Sequence, residues 1–185
     1  MPNTVHLKTP LKDKELVNLK VGDKVLISGK IYTARDAAHQ RLVELIEKGE
    51  KLPFPLQGAV IYFVGPAPAP PGKPIGSAGP TTSYRMDPYS PILLNAGLKA
   101  MIGKGPRSQK VIDSMVKNKA VYLAAIGGAA VVMAESVKSA NIIAYDDLGP
   151  EAVRELVVED FPAFVANDIK GNDIYKLGIE QYQEE

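Results

Sequence analysis

Residues Ala59-Val60-Ile61-Tyr62-Phe63-Val64 form an unbroken apolar run. A run this short and this rich in β-branched and aromatic residues reads as a central strand buried on both faces, as in the parallel sheets of α/β proteins. It leads into a loop with prolines at 66, 68, 70, 71 and 74. A linker would share that composition, but the buried strand before it and the small-residue segment after it favour a rigid loop at the strand's carboxyl end. Ligand sites of α/β sheets lie at such ends.

Other segments fit the same class. Lys24–Tyr32 alternates as a strand, and Val5 and Leu7 suggest a short edge strand before Pro10. Leu11–Leu19 suggests a short helix. The spacing of Ala37, Ala38, Leu42, Leu45 and Ile46 predicts a helix capped by Thr33 and ended by Gly49. Helices are expected over Tyr89–Lys99, from Ser108 to about Lys117, and over Ala129–Val137. Strands are expected at Met101–Gly103, Ala120–Ile126 and Asn141–Tyr145. Val153–Val158 and Ala163–Ala166 read as two late strands, the first also compatible with a helix. Asn167–Asn172 reads as a turn. The order predicts one α/β domain over residues 1–185, with 1–4 and 180–185 as loose ends.

Composition narrows the function. The 185 residues carry 22 basic and 21 acidic side chains, a net charge of +1. That balance gives no reason to expect nucleic acid or an anionic membrane as partner. No apolar run reaches the roughly 18 residues of a membrane helix, and Met1–His6 lacks the apolar core of a signal peptide, so the expected compartment is the cytoplasm. Cysteine is absent, which rules out a thiolate nucleophile or a cysteine-ligated cluster within this chain. His6 and His39 stand far apart, so a histidine-rich metal site is not expected.

Gly76-Ser77-Ala78-Gly79-Pro80-Thr81-Thr82-Ser83-Tyr84-Arg85-Met86-Asp87-Pro88 is the segment richest in chemistry. Small residues allow close backbone approach. Thr81, Thr82 and Ser83 offer hydroxyl and N–H groups near a helix start, and Arg85 a forked cation suited to a carboxylate or phosphate. It reads as an anion pocket or, equally well, as a capped helix behind a proline loop. Arg35 breaks a local rule, because the helix dipole disfavours a cation in the first turn; it is either a solvated arginine or a functional one. Gly103-Lys104-Gly105 is either a surface turn or a turn that aims Lys104 inward. Gly127-Gly128 also offers a strand-to-helix junction where close packing or an anion would explain the glycines.

Gly-Pro-Thr-Thr-Ser-x-Arg-Met-Asp at 79–87 resembles the signature of the C-terminal domain, or separate β subunit, of class I iron–sulfur fumarases and L-tartrate dehydratases. Gly29–His39 and Ile102–Gly105 match the same family in the same order, and the resemblance covers roughly residues 5 to 180. It implies a swivelling β/β/α fold and a hydro-lyase that interconverts fumarate and malate. It also implies that Arg35, Arg85, Lys104 and Thr82 bind a dicarboxylate, and that Thr81 sits beside the reacting carbon and takes part in proton transfer or only orients substrate. Asp36 and Asp87 follow their arginines as supporting partners or helix caps. The resemblance further implies a [4Fe-4S] cluster on a partner α subunit, acting as Lewis acid on the leaving hydroxyl. The chain alone is then expected to be inactive, and to pair with itself, if at all, through the exposed partner surface. Tyr84 fills a slot often small in single-chain fumarases, which leaves fumarate, tartrate and related diacids open. A non-catalytic dicarboxylate-binding module and a swivelling domain of another dehydratase remain the alternatives.

Overall fold

In the computed structural model, residues 3–125 and 130–182 are described. Seven strands, β1 (Thr4–Lys8), β2 (Lys24–Thr33), β3 (Val60–Tyr62), β4 (Ala100–Gly103), β5 (Val121–Ala124), β6 (Val137–Ala144) and β7 (Val153–Asn167), form one mixed sheet. Their order is β1-β2-β3-β4-β5-β7-β6. Strands β1 to β5 pair in parallel. The long β7 runs antiparallel to both β5 and β2, which joins the two sides of the sheet into a barrel-like α/β arrangement.

Alternation along each strand makes two cores. Val60, Tyr62, Ala100, Ile102, Val121 and Leu123 point into the barrel with Val25, Ile27, Leu156 and Phe161. Helices α1 (Asp13–Leu16) and α5 (Ala130–Glu135) add Leu16 and Met133 to that core, whereas Ile61, Phe63, Met101 and Tyr122 point outward, under helices α2 (Asp36–Glu47), α3 (Ser90–Asn95) and α4 (Gln109–Asn118). Ala38 and Leu42, Leu93 and Leu94, and Val111, Ile112 and Met115 complete that second core. The run at 59–64 is thus buried on both faces as its composition requires. No described helix is long and apolar enough to cross a membrane.

Several expectations change. The two late strands are one: β7 pairs Phe161 with Ile27 and Val158 with Gly29, so a bulge opens between them. Asp160 takes the left-handed φ of 50° at this bulge, which hides the continuity by shifting the apolar alternation one place. Thr33 does not cap α2. It ends β2, and its hydroxyl accepts from the N–H of Arg154 at 3.0 Å, so Arg35 becomes the residue preceding the helix. Thr4 belongs to β1, not to a loose end. The expected tail is helical as far as Tyr182 in α6 (Ile174–Tyr182). Asp173 precedes α6, its carboxylate accepting from the N–H of Tyr175 at 2.9 Å. The helix at 89–99 is shorter, Ser90–Asn95. Gly127-Gly128 lies outside the described residues.

Candidate active site

Three parallel neighbours, β2, β3 and β4, end at one edge of the barrel, and each is followed by a segment singled out in the sequence. Arg35 stands two residues beyond Thr33 at the end of β2. Beyond β3 the chain detours through the proline loop and returns, and the N–H of Thr81 donates to the carbonyl of Phe63 at 2.7 Å. Lys104 directly follows β4; its carbonyl accepts from the N–H of Ser83 at 2.9 Å, and Thr82 and Lys104 form an isolated parallel bridge. The segment bearing Thr81, Thr82 and Arg85 is thereby added to the sheet beside Lys104.

Glycine is needed where these segments meet. A Cβ on Gly103 would lie 2.0 Å from Oγ of Ser83 and 2.9 Å from the Phe63 ring. Gly105 has a left-handed φ of 81°. Together they turn the chain sharply at an exposed Lys104.

Asp36 joins the two arginines. Its Oδ1 lies 2.9 Å from Nε of Arg85, and its Oδ2 lies 3.8 Å from Nε of Arg35. Asp36 is therefore an ion-pair partner rather than a helix cap. Arg35 reaches a second carboxylate, Glu151, whose Oε1 is 3.2 Å from Nη2. The 3-10 turn that carries Glu151, Asp146–Glu151, is tied to α2 by Arg41, which donates from both terminal nitrogens to Asp147. Gly65 leaves room for the Arg35 side chain, since a Cβ there would lie 3.3 Å from Arg35 Cδ. Arg35 is 24% exposed and Arg85 45%, so the cations face outward from a fixed base.

Beneath them is a buried layer. His39 is fully buried, with Nδ1 donating to the carbonyl of Arg35 at 2.8 Å and Nε2 without a partner. Burial pushes its pKa down to about 4, so the ring is neutral and serves to hold the first turn of α2. Asp87 accepts from Nε of Arg107 and from the N–H of Ser108, both at 2.7 Å. It thereby ties the residue that precedes α4 to the loop that carries Arg85. Burial drives the Arg107 guanidinium down and the Tyr122 hydroxyl up from their ordinary values.

Sequence reasoning singles out the three cations and the threonines, and the fold brings their segments to one edge. It misses Glu151, which is far from Arg35 in the chain and carries no local signal. It also misses Arg107, although a cation just before a helix start is the same irregularity that marks Arg35. A cleft of about 390 Å³ lies next to this edge, between the proline loop and β6, but its lining, which includes Pro68, Ile75, Ile142 and Arg154, does not contain the three cations.

Residues 2–178 match the family described as "Fumarase C-terminus". The chain belongs to this family. It is 43% identical over 176 residues to "Fumarate hydratase class I, anaerobic" of Escherichia coli, covering 93% of this chain and 32% of that protein. It is 41% identical over 175 residues to "Fumarate hydratase 2" of Leishmania major, covering 92% of this chain and 31% of that protein. A similarity of 43% over 176 residues to "Putative L(+)-tartrate dehydratase subunit beta" of Methanocaldococcus jannaschii covers 90% of this chain and 88% of that protein. This fumarase C-terminal chain thus spans about a third of the fumarate hydratases it matches and nearly all of the archaeal protein.

Proposed function

We propose that this chain is the β subunit of a two-subunit hydro-lyase that interconverts fumarate and (S)-malate. It contributes the carboxylate-binding half of an active site that a cluster-bearing α subunit completes. The observation that carries this reading is the placement of Arg35, Arg85 and Lys104 after three adjacent parallel strands, with Arg35 and Arg85 sharing Asp36, in a chain of the fumarase C-terminal family.

Removing a proton beside a carboxylate builds negative charge on that carboxylate, and cations held in place before the reaction stabilise it. Arg35 and Arg85 present planar forks that match carboxylate oxygens two at a time, and Lys104 adds a compact third charge. Thr81, half-buried and tied to Phe63 by its backbone, lies on the segment that bears Arg85. In this reading Thr81 orients substrate and takes part in proton transfer at the reacting carbon, with the neighbouring cations favouring its ionised form. Thr82 assists in substrate binding.

The iron–sulfur cluster expected of such an enzyme does not fit this chain. It has no cysteine, and its described residues hold no group of three or more His, Cys, Asp or Glu placed for a metal ion. We therefore assign the cluster to the α subunit.

L-tartrate is the alternative substrate, because the archaeal relative that bears the tartrate dehydratase name is matched over 88% of its length. Anaerobic co-purification from the native source, followed by absorbance of fumarate formed from malate and assays with tartrate, tests both. A brown complex with a cysteine-bearing partner that forms fumarate is expected. A colourless, partnerless chain that binds diacids without turnover would instead make it a binding module.

A further inference from the structure

Arg107 is the most deeply buried cation among the described residues near the site: its side chain has no exposed surface. Each part of its guanidinium is used. Nε donates to Asp87 at 2.7 Å, Nη2 to Oγ of Ser90 at 2.6 Å, and Nη1 contacts Sδ of Met101 at 3.3 Å. Its Cζ stands 5.3 Å from the Phe63 ring centre and 5.0 Å from that of Tyr122. Ser90 in turn donates to the carbonyl of Met86 at 2.9 Å. The Tyr122 hydroxyl lies 2.8 Å from Oγ of Ser83 and donates to the carbonyl of Gly105 at 2.9 Å.

These contacts join two loops. Ser83, Met86 and Asp87 belong to the segment that carries Arg85; Gly105, Arg107 and Ser108 to the one that carries Lys104. A cation in so apolar a place is costly unless it is paired, and here Arg107, on the Lys104 side of the junction, finds its oxygen partners, Asp87 and Ser90, on the other. Lysine would keep the charge but not the fork that reaches Asp87 and Ser90 together.

We propose that Arg107 is a positioning residue that fixes the spacing between Arg85 and Lys104, and with it the fit of the site to a dicarboxylate. This rests on the function proposed above. The test is Arg107→Lys in the complex with its partner subunit, read in two ways. In steady-state kinetics with malate, KM is expected to rise tenfold or more with a smaller change in kcat; a role in stability alone would lower kcat with the folded fraction and leave KM unchanged. In hydrogen exchange, the Ser83 amide, which donates to Lys104, is expected to exchange at least tenfold faster while the Ile31 amide in the barrel is unaffected. Should Arg107→Lys fail to fold, Asp87→Asn, which keeps the shape and removes the charge partner, takes its place under the same criteria. An unchanged KM in the folded variant overturns the inference, and so does unchanged Ser83 exchange. A wild-type complex without turnover overturns the proposed function, and the exchange measurement then decides this inference alone.

Discussion

The Asp36 carboxylate lies 2.9 Å from Nε of Arg85, a residue from a different loop, while its other oxygen faces Arg35 at 3.8 Å. One carboxylate thus stands between two guanidinium groups that the sequence keeps far apart. Asp36→Asn should leave the fold intact, because the pair is partly solvated and such pairs contribute about 0–1 kcal/mol. The effect is expected in recognition instead: kcat/KM for malate falling roughly 10–100-fold, on the order of 1.4–2.8 kcal/mol of transition-state binding, with a thermal midpoint within a few degrees of wild type. A large drop in midpoint with normal kcat/KM would show Asp36 to be a stability residue.

Arg85→Lys tests the fork itself. The charge is retained, so long-range attraction of a dianion persists, but two parallel hydrogen bonds cannot form. A fall in kcat/KM of about 100-fold or more is expected in the assembled complex, with the visible absorbance of the complex unchanged. Unchanged turnover would remove Arg85 from the site.

Much of the architecture could be read from local pattern. The run at 59–64 has the composition of a doubly buried strand, and it is one. The long strand β7 could not be read whole, because the bulge at Asp160 shifts its alternation and Pro162 interrupts the signal. At the candidate site, Arg35, Arg85 and Lys104 stand out in the sequence by small neighbours and, for Arg35, by a charge in the wrong place for a helix dipole. Glu151 and Tyr122 gain their roles from β-sheet closure, which pairs segments far apart in the chain and leaves no local trace.

Gly103 carries a packing prediction. Its missing Cβ makes room for Ser83 Oγ, 2.0 Å from where that carbon would lie. Both loops are pinned here, by the Ser83–Lys104 hydrogen bond and the Ser83–Tyr122 contact, so neither side yields readily. Gly103→Ala is expected to cost about 1–3 kcal/mol of stability by overpacking. Urea unfolding of the isolated chain measures it; a change below about 0.5 kcal/mol would mean that the loops can part without penalty.

His39 gives the fold a pH dependence of definite sign. Burial disfavours its charged form and Arg107 nearby acts in the same direction, while the Arg35 carbonyl and Asp36 oppose. The folded pKa of about 4 lies below the ordinary 6.5 of an unfolded histidine. The unfolded chain therefore binds a proton as pH falls through 6.5, and the folded chain does so only near 4. The contribution of neutral His39 is complete above 6.5, declines as pH falls between those values, and levels off below about 4. The whole change is on the order of 3 kcal/mol. Other groups titrate in the same range, so the quantity to compare is the slope of unfolding free energy against pH in wild type and in His39→Gln. The variant should lose part of the positive slope between pH 4.5 and 6, a window of about 1.5 pH units inside the two pKa values. Parallel curves would mean that His39 is protonated in the folded chain, its charge offset within the buried layer beneath Arg35.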